Sequence, residues 1–455
     1  MELWRRVLDS IRKDKIVLDD LKMLVEQPSI SARGEGITEC AELLVDMLKR
    51  EGFDVSLERM NEANPVILAR LKGPSTGRTI LLYNHYDVQP PDPIGEWVSE
   101  PFRLILRDGL LYGRGVADDK GDVVARLAAL RVLRDTLGES PISVTWLIEG
   151  EEEVGSPNLE AFVTSHLSLL QADACLWEGG DMSDDGKPNF YLGVKGMLYL
   201  EVGIRTAAGD RHSMYAPILP NPAERLSRLI ASMKDEKGRV LVRGFYDDVR
   251  KPSKREKRLL SKIRLDILDL KKALGAEKLM ETSRVKALEK LVFSPTCNVA
   301  GLVSGYTGQG SKTIVPGYAS VKLDLRLVPN QDPRRILRLV RQHLRRLGKY
   351  DLTVHSMCWP ARTSPDSELV RTAVDSARMV YGVTPYIWPS MFGTGPMYLI
   401  SRLGIPTAMI NCVAHRRSNL HAPNENIMLE HLRLSAAHLA VFFNGFARGG
   451  SGRAS

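Results

Sequence analysis

The chain has 455 residues, of which 44% are hydrophobic and 26% charged, and its formal net charge is +8. This composition excludes a disordered or fibrous protein, and the length is large enough that we expect two domains. The apolar runs fall short of the roughly 18 residues that a membrane-spanning helix needs, so we expect no membrane partner.

The cysteines and the N-terminal residues indicate the cellular compartment in which the protein is expected. The five cysteines, at positions 40, 175, 297, 358 and 412, are scattered and odd in number, with no CxxC pair. This pattern is unlike a disulfide framework or a thiolate zinc site. The N-terminal stretch carries charges throughout, unlike a secretory signal, so we expect a cytoplasmic protein.

Much of the positive charge lies in two stretches, Arg250–Arg264 and Arg334–Lys349. Both interleave basic residues with aliphatic ones at helical spacing, which predicts solvated helix faces. Neither holds an aromatic stacking platform or a nucleic-acid motif, so we expect no nucleic-acid partner.

The first part of the chain alternates between helical and extended patterns. Near-continuous apolar strands on either side of a helix indicate an α/β layer whose sheet is covered on both faces. The predicted elements are helices Ile37–Arg50 and Val123–Leu137 and strands Phe53–Leu57, Val66–Leu71, Thr79–Tyr83 and Ile142–Ile148.

The pattern changes after about residue 192 and returns to the α/β type from about residue 364. We therefore predict a catalytic domain formed by residues 1–192 and 361–455, with residues 193–360 inserted as a second domain. The elements that mark this change are strands Tyr199–Ile204 and Val321–Leu327, helix Glu368–Val380 and a strand near Thr407–Asn411.

The first chemistry-bearing motif is His85-Tyr-Asp87, directly after a predicted strand. Side chains two residues apart leave an extended segment on the same face, so a histidine could bind metal while the carboxylate orients it. A surface histidine beside a turn aspartate is the more frequent explanation of such a pair taken alone.

The second motif places Asp118 and Asp119 side by side after a glycine-rich stretch. One interpretation is an acidic turn before a helix, with Asp119 as the N-cap. The other is a carboxylate held against cations, since adjacent carboxylates repel each other.

The third motif is Glu149-Gly-Glu151-Glu152-Glu153, directly after the strand that contains Trp146. Four carboxylates in five positions repel each other unless cations compensate, and sites in α/β sheets form at the carboxyl ends of strands. Histidine and carboxylate ligands without thiolates suit zinc, with manganese or cobalt as alternatives.

Together and in this order, the three motifs resemble those of the M20 family of metallopeptidases. The family includes carnosinase-like dipeptidases, carboxypeptidase G2, acetylornithine deacetylase and succinyl-diaminopimelate desuccinylase. The resemblance implies a mixed-sheet α/β catalytic domain of the zinc-exopeptidase type. It further implies an inserted α+β domain that serves as a lid and as the dimerisation domain. It also implies two divalent metal ions, zinc before manganese or cobalt, and a homodimer.

The resemblance also implies roles for individual residues. Glu152 is implied as the general base and Asp87 as the carboxylate that orients His85, and the peptide bond after Asp118 is expected to be cis. Glu178 is preferred over Asp181 as the fourth acidic position. The implied metal ligands are His85, Asp118 as the bridge, Glu153, Glu178 and His421.

Further residues, most of them in the inserted domain, are implied to complete the site. His212 matches the family's oxyanion donor, which often reaches across a dimer. Thr313, Arg326 and Thr394 match substrate-binding positions, and Arg326 could grip a carboxylate with two hydrogen bonds. Met214 replaces the usual glycine close to His212 and adds bulk there.

The resemblance therefore implies a two-metal hydrolase of amide bonds in small substrates with a free carboxylate. A dipeptidase or similar exopeptidase acting on small peptides is preferred. One alternative is an N-acyl-amino-acid deacylase of the acetylornithine deacetylase or succinyl-diaminopimelate desuccinylase type. By the resemblance, carboxypeptidase- and deacylase-like members carry glutamate at the position of Glu178, whereas dipeptidases tend to carry aspartate there. A different alternative is a non-catalytic binding protein with the same fold.

Overall fold

The chain divides into two compact units. The computed structural model describes residues 2–60, 62–74, 77–345 and 348–449. The first unit comprises Met1–Gly193, Thr363–Pro389 and Leu399–Ser455, and the second comprises Val194–Arg362 and Ser390–Tyr398. Within the described ranges, no helix combines the length and the apolar character needed to cross a membrane.

Each predicted element is present with ends shifted by three residues or fewer. The helices are α1 (Glu2–Lys13), α2 (Ile16–Glu26), α3 (Ile37–Arg50), α4 (Lys120–Leu137), α5 (Leu159–Ser165), α6 (Pro222–Met233), α7 (Lys254–Lys262), α8 (Ile267–Ala273), α9 (Arg284–Phe293), α10 (Pro333–Leu344), α11 (Glu368–Tyr381), α12 (Tyr398–Ser401) and α13 (Leu429–Ala447). The strands are β1 (Asp54–Glu58), β2 (Val66–Leu71), β3 (Thr79–His85), β4 (Ile105–Arg107), β5 (Leu110–Tyr112), β6 (Ser143–Glu149), β7 (Ala174–Trp177), β8 (Asp181–Met182), β9 (Pro188–Tyr191), β10 (Gly193–Val194), β11 (Gly196–Arg205), β12 (Arg211–His212), β13 (Thr296–Ser304), β14 (Ile314–Val315), β15 (Tyr318–Leu327), β16 (Asp351–Cys358), β17 (Ala361–Arg362), β18 (Tyr386–Trp388), β19 (Thr407–Met409), β20 (Ala414–His415) and β21 (Asn426–Met428).

The first unit is built on a ten-stranded mixed sheet. Strands β6, β3, β7 and β19 form its parallel centre. Strands β2 and β1 extend one side in antiparallel fashion, and β9 meets β19 antiparallel on the other. The sheet order is β1-β2-β6-β3-β7-β19-β9-β8-β20, with β18 paired to β9. The predicted mixed α/β architecture is confirmed.

The central strands are buried almost throughout because their sequences are nearly continuous apolar runs. In both β3 and β6 every residue after the first is buried. Such burial is typical of parallel strands covered on both faces. Helix α3 packs against β1 and β2, and α4 packs against β3, α2 and α13.

The second unit has a four-stranded antiparallel sheet in the order β13-β15-β11-β16. Residues of β11 and β15 alternate between buried and less buried positions, which gives the sheet one apolar face. Helices α6 and α10 pack on this sheet through buried residues that include Leu226, Leu229, Ile336 and Val340. The unit therefore has its own hydrophobic core.

Candidate metal centre

Three neighbouring parallel strands of the ten-stranded sheet end at the candidate site. Strand β3 ends at His85, β7 ends one residue before Glu178, and β6 ends at Glu149, just before the turn with Glu152 and Glu153. Because neighbouring parallel strands direct their carboxyl ends to the same edge of a sheet, these side chains converge there.

The His85 ring is buried and lies between two carboxylates. Its Nε2 atom is 3.0 Å from Asp118 Oδ1 and 3.6 Å from Glu178 Oε2, while Nδ1 is 3.0 Å from the Asp87 carbonyl oxygen. If Nδ1–H of the neutral ring donates to this carbonyl, Nε2 presents a lone pair to two carboxylates. His85, Asp118 and Glu178, the first ligand group, therefore suit a cation held between them.

A second ligand group, consisting of Asp118, Glu153 and His421, shares Asp118 with the first. His421 Nε2 is 3.0 Å from Asp118 Oδ2 and 3.3 Å from Glu153 Oε2. The ligand atoms of these three residues all lie within 4.8 Å of one another. Asp118 joins the two groups because its Oδ1 atom faces His85 and its Oδ2 atom faces His421.

Beside Asp118, the ligand atoms of His85, Asp119 and Glu178 all lie within 4.8 Å of one another. Its carboxylate accepts hydrogen bonds from the Asn84 side chain at 2.6 Å and from the His85 backbone N–H at 3.2 Å. Asp119 occupies the N-cap position of α4, as one interpretation of the sequence expects, but its side chain makes no capping hydrogen bond. The Asp118–Asp119 peptide bond is cis, as expected.

Asp87 is fully buried and binds the turn that follows β6. Its two carboxylate oxygens accept the backbone N–H groups of Glu152 at 3.2 Å and Glu153 at 3.0 Å. Its Oδ1 atom is also 3.4 Å from His85 Nδ1. Asp87 therefore ties the acidic turn to the histidine of the first ligand group.

Glu425 is a buried site residue that the sequence analysis missed. Its carboxylate accepts the backbone N–H groups of Gly115 at 2.9 Å, Ala117 at 2.8 Å and Asp118 at 3.0 Å. It also pairs with buried Arg114 at 2.8 Å. Glu425 therefore fixes the loop that carries the shared carboxylate. In the sequence it is one acid in a polar run, which does not distinguish it from an exposed residue.

Several buried, closely spaced carboxyl groups of the site have raised pKa values. Burial raises the pKa of Glu178 and of Glu152, and it raises the pKa of Glu153 to about 7. The hydrogen bond with Asp118 raises the pKa of His421 to about 9. Glu178 Oε2 is buried and has no hydrogen-bond partner within the described residues. Imidazole and carboxylate donors with an unsatisfied buried oxygen fit a divalent cation such as zinc.

The match to a family model identifies the class of protein to which this site belongs. Residues 81–444 match the family described as Peptidase family M20/M25/M40. The chain belongs to this family. The resemblance of its motifs is thereby confirmed, and this M20 peptidase is a metal-dependent hydrolase. The alternative of a non-catalytic binding protein is set aside.

Related proteins cover most of the M20 peptidase. It is 41% identical to the M20 family metallo-carboxypeptidase Sso-CP2 from Sulfolobus solfataricus, with a TM-score of 0.89 and coverage of 95% of this chain and 99% of that one. It is 26% identical to human carnosine dipeptidase 1, with a TM-score of 0.77 and coverage of 98% and 100%. It is 26% identical over 398 residues to the Cys-Gly metallodipeptidase dug1 of Schizosaccharomyces pombe, which covers 82% of this chain and 83% of that relative.

The geometry distinguishes the two acidic candidates after β7 in the M20 peptidase. Glu178 belongs to the first ligand group and is 3.6 Å from His85. Both oxygens of Asp181 accept short hydrogen bonds instead, from Asn189 at 2.6 Å and from the Tyr191 hydroxyl at 2.6 Å. These contacts favour Glu178 as the ligand.

The second unit of the M20 peptidase brings His212 next to Thr313. Strands β12 and β14 pair so that His212 lies opposite Ile314, and the Ser213 N–H donates to the Thr313 carbonyl at 3.0 Å. The His212 ring is exposed, and its Nδ1 accepts the Met214 backbone N–H at 3.1 Å. This bond leaves Nε2 to carry the proton of the neutral ring, as a hydrogen-bond donor requires.

Arg326 and Thr394 form a second pair within the same unit. Arg326 Nη1 donates to the Thr394 hydroxyl oxygen at 2.7 Å, and Arg326 Nε is 3.0 Å from Asp324 Oδ1. The guanidinium is therefore held on both sides while about a third of the side chain is exposed. A fixed, partly exposed guanidinium suits two-pronged binding of a carboxylate.

Proposed function

We propose that this M20 peptidase is a two-metal exopeptidase that cleaves small peptides with a free carboxylate, with dipeptides as preferred substrates. The observation that carries the proposal is that two ligand groups share the carboxylate of Asp118. In the proposal, each group holds one divalent ion, zinc before manganese or cobalt.

The residues around the two groups support a hydrolytic mechanism. Divalent ions held by the two ligand groups would supply Lewis-acid chemistry, which would lower the pKa of a water towards about 7 and polarise the scissile carbonyl. Glu152 accepts a proton from the attacking water and delivers it to the leaving nitrogen as the C–N bond breaks. Asp87 holds the turn with Glu152 in place and orients His85.

Residues of the second unit are proposed to bind the substrate. His212 donates a hydrogen bond to the developing oxyanion, a contribution that grows as charge develops in the transition state. Arg326, held by Thr394 and Asp324, binds the free carboxylate, and Thr313 lies beside His212. A substrate without a free carboxylate loses the contact with Arg326.

The similar proteins support a peptide as the substrate. Two of them are named as dipeptidases, one for Cys-Gly and one for carnosine, and the third is named as a metallo-carboxypeptidase. All three names describe removal of residues at a peptide end. Peptides are therefore the preferred substrates. N-acyl amino acids are the alternative substrates, and the experiment must distinguish them from peptides.

We also propose that the protein acts in the cytoplasm. Four cysteines, Cys40, Cys175, Cys297 and Cys412, are buried free thiols. Unpaired buried thiols fit a reducing compartment better than an oxidising one.

The substrate proposal is tested with a matched set of substrates and metals. The protein loaded with Zn²⁺, Mn²⁺ or Co²⁺ is expected to hydrolyse free dipeptides, to lose this activity on chelation and to regain it when the metal is returned. N-acetyl and N-succinyl amino acids should react more slowly. Dipeptide amides should have a raised KM because they lack the carboxylate that Arg326 binds. Amine release, measured by a ninhydrin-type assay, reports each reaction.

The outcomes separate the alternatives. Hydrolysis of N-acyl amino acids without hydrolysis of dipeptides would make the protein a deacylase. Hydrolysis of N-blocked dipeptides at the rate of free dipeptides would make it a carboxypeptidase. If the metal-loaded protein cleaved none of these substrates, the exopeptidase proposal would be wrong.

Assembly as a homodimer is also proposed, and an edge strand of the second unit supports it. Strand β13 lies at the edge of its sheet, and its side chains Val299, Leu302 and Val303 are exposed. An exposed apolar edge strand is a ready template for pairing with another chain. A second copy of the protein is the partner that the resemblance implies.

Light scattering should therefore give twice the mass of one chain. Leu302→Lys should shift the protein towards the monomer because a charge on an edge strand opposes pairing. Leu268→Lys, at another exposed leucine, on α8 of the same unit, is the matched control and should leave the mass unchanged. A monomeric, fully active wild-type protein would exclude a His212 donor from a second subunit.

A further inference from the structure

One face of helix α4 directs buried charged side chains towards the strands that carry the metal centre. Asp122 and Arg126 are 3% and 0% exposed, and Asp119 at the N-cap position is 2% exposed. Residues three and four positions apart share a helix face, which places the three side chains in one row. Burial of such groups is costly unless they are hydrogen-bonded, so their partners indicate what this α4 row does.

The α4 row holds the backbone on both sides of Glu178. Arg126 donates from Nη2 to the Trp177 carbonyl at 2.7 Å, and Asp122 accepts the Gly179 N–H at 2.8 Å. Gly179 has a φ of 85°, a conformation that glycine adopts without strain. The peptide groups before and after Glu178 are therefore both attached to the same helix.

The α4 row also holds the end of β3. Arg126 donates from Nη1 to the Tyr83 carbonyl at 2.6 Å and to the Asn84 side-chain oxygen. Asn84 donates to Asp119 at 2.6 Å, and Asp119 accepts the His85 N–H at 3.2 Å. One guanidinium thus links the two strand ends whose side chains belong to the first ligand group.

Different contacts hold the residues that are specific to the second ligand group. Glu153 Oε2 accepts a hydrogen bond from Gln89 at 2.9 Å, and the Glu153 N–H donates to Asp87 at 3.0 Å. The loop with Asp118 is held by Glu425. A change in the α4 row should therefore act on the first group more than on the second.

We propose that Asp122 and Arg126 are positioning residues that set the affinity of the first ligand group for its metal ion. They act through the backbone of residues 177 and 179 and through the end of β3, without touching the ion or the substrate. The inference rests on the proposed two-metal function. Residues that support metal ligands in this way contribute about 10–100-fold to metal affinity.

The test is a Zn²⁺ titration against a competing chromophoric chelator. Wild-type protein should bind two ions. Arg126→Met should bind one of them about 10–100-fold more weakly and the other unchanged, and Arg126→Lys should recover part of the loss. The double variant Asp122→Leu/Arg126→Leu removes both buried charges together, so neither is left buried without the other, and it should show the same selective loss.

Arg131 provides a control for a merely structural effect. It lies on the same helix, is buried and pairs with Asp20 at 2.5 Å and Glu51 at 2.8 Å, and within the described part of the chain its ion pairs do not involve a ligand group. Arg131→Met should lower the Tm and leave both Zn²⁺ affinities unchanged. An equal loss of zinc in Arg131→Met and Arg126→Met would make the effect one of general stability.

Combined variants assign the weakened ion. Adding Glu178→Ala to the double variant should leave the remaining tight ion in place, whereas adding His421→Ala should remove it. Two ions of wild-type affinity in the folded double variant would overturn the positioning proposal and leave the two-metal proposal intact. Fewer than two ions in the wild-type protein would instead overturn the two-metal proposal.

Discussion

Replacing Glu152 by glutamine is expected to lower kcat by about 10²–10⁴-fold, the range that general acid–base catalysis contributes. The amide keeps the size of the side chain but cannot take a proton from the attacking water. The turn itself is held through the Glu152 backbone N–H, which Asp87 accepts at 3.2 Å, so it should stay in place. Zinc content, measured by metal analysis, should remain at the wild-type value while turnover falls.

The neighbouring Glu151 gives a matched control. Its carboxylate accepts hydrogen bonds from the Asn64 N–H at 3.0 Å and from the Asn158 side chain at 2.9 Å, which are structural contacts. Glu151→Gln should therefore keep the wild-type kcat. Wild-type turnover in metal-loaded Glu152→Gln would contradict the role of this residue as the base. Equal losses in both variants would indicate a disturbed turn instead.

The sequence predicts the fold well where the hydrophobic pattern is strong. Helix α3 and strand β2 have the predicted bounds. The amphipathic pattern of α3 and the apolar run of β2 each stop at the residue where the element ends. Strand β3 continues two residues beyond its predicted end, through Asn84 and His85, because polar residues interrupt the apolar signal although both are buried. Helix α4 begins three residues before its predicted start for the same reason, since Lys120 and Asp122 are buried.

The sequence predicts the members of the candidate site better than their arrangement. The motifs place His85 and Glu153 directly after predicted strands, and parallel pairing brings such strand ends together. Which carboxylate faces which histidine depends on pairing between distant segments, and no local period encodes it. His421, for example, meets Asp118 across 303 positions of sequence.

The residues that support the site are hardest to predict. Glu425, Asp122 and Arg126 are charged side chains, and charged residues are almost always exposed unless they are paired. Their burial follows from partners that are supplied by other segments, such as the N–H groups around Asp118 and the carbonyl of Trp177. The sequence shows the charges but not these partners.

Replacing Asp118 by asparagine is expected to weaken the binding of both metal ions by more than about 100-fold, the upper end of the range for residues that only support a ligand. Its Oδ1 and Oδ2 atoms each lie 3.0 Å from a histidine Nε2, of His85 and His421 respectively. The amide offers one oxygen acceptor, carries no charge and turns an N–H group towards one of the two ligand groups. A Zn²⁺ titration measures both affinities.

Variants confined to one ligand group provide the comparison. Glu178→Gln and His421→Ala should each weaken one ion and keep the other. Since an ion that binds the folded state raises the Tm, added Zn²⁺ should stabilise the wild-type protein and both of these variants, but not Asp118→Asn. If Asp118→Asn kept one ion at wild-type affinity, its carboxylate would serve one group alone. The two groups would then lack a shared ligand, and the observation that carries the two-metal proposal would be misread.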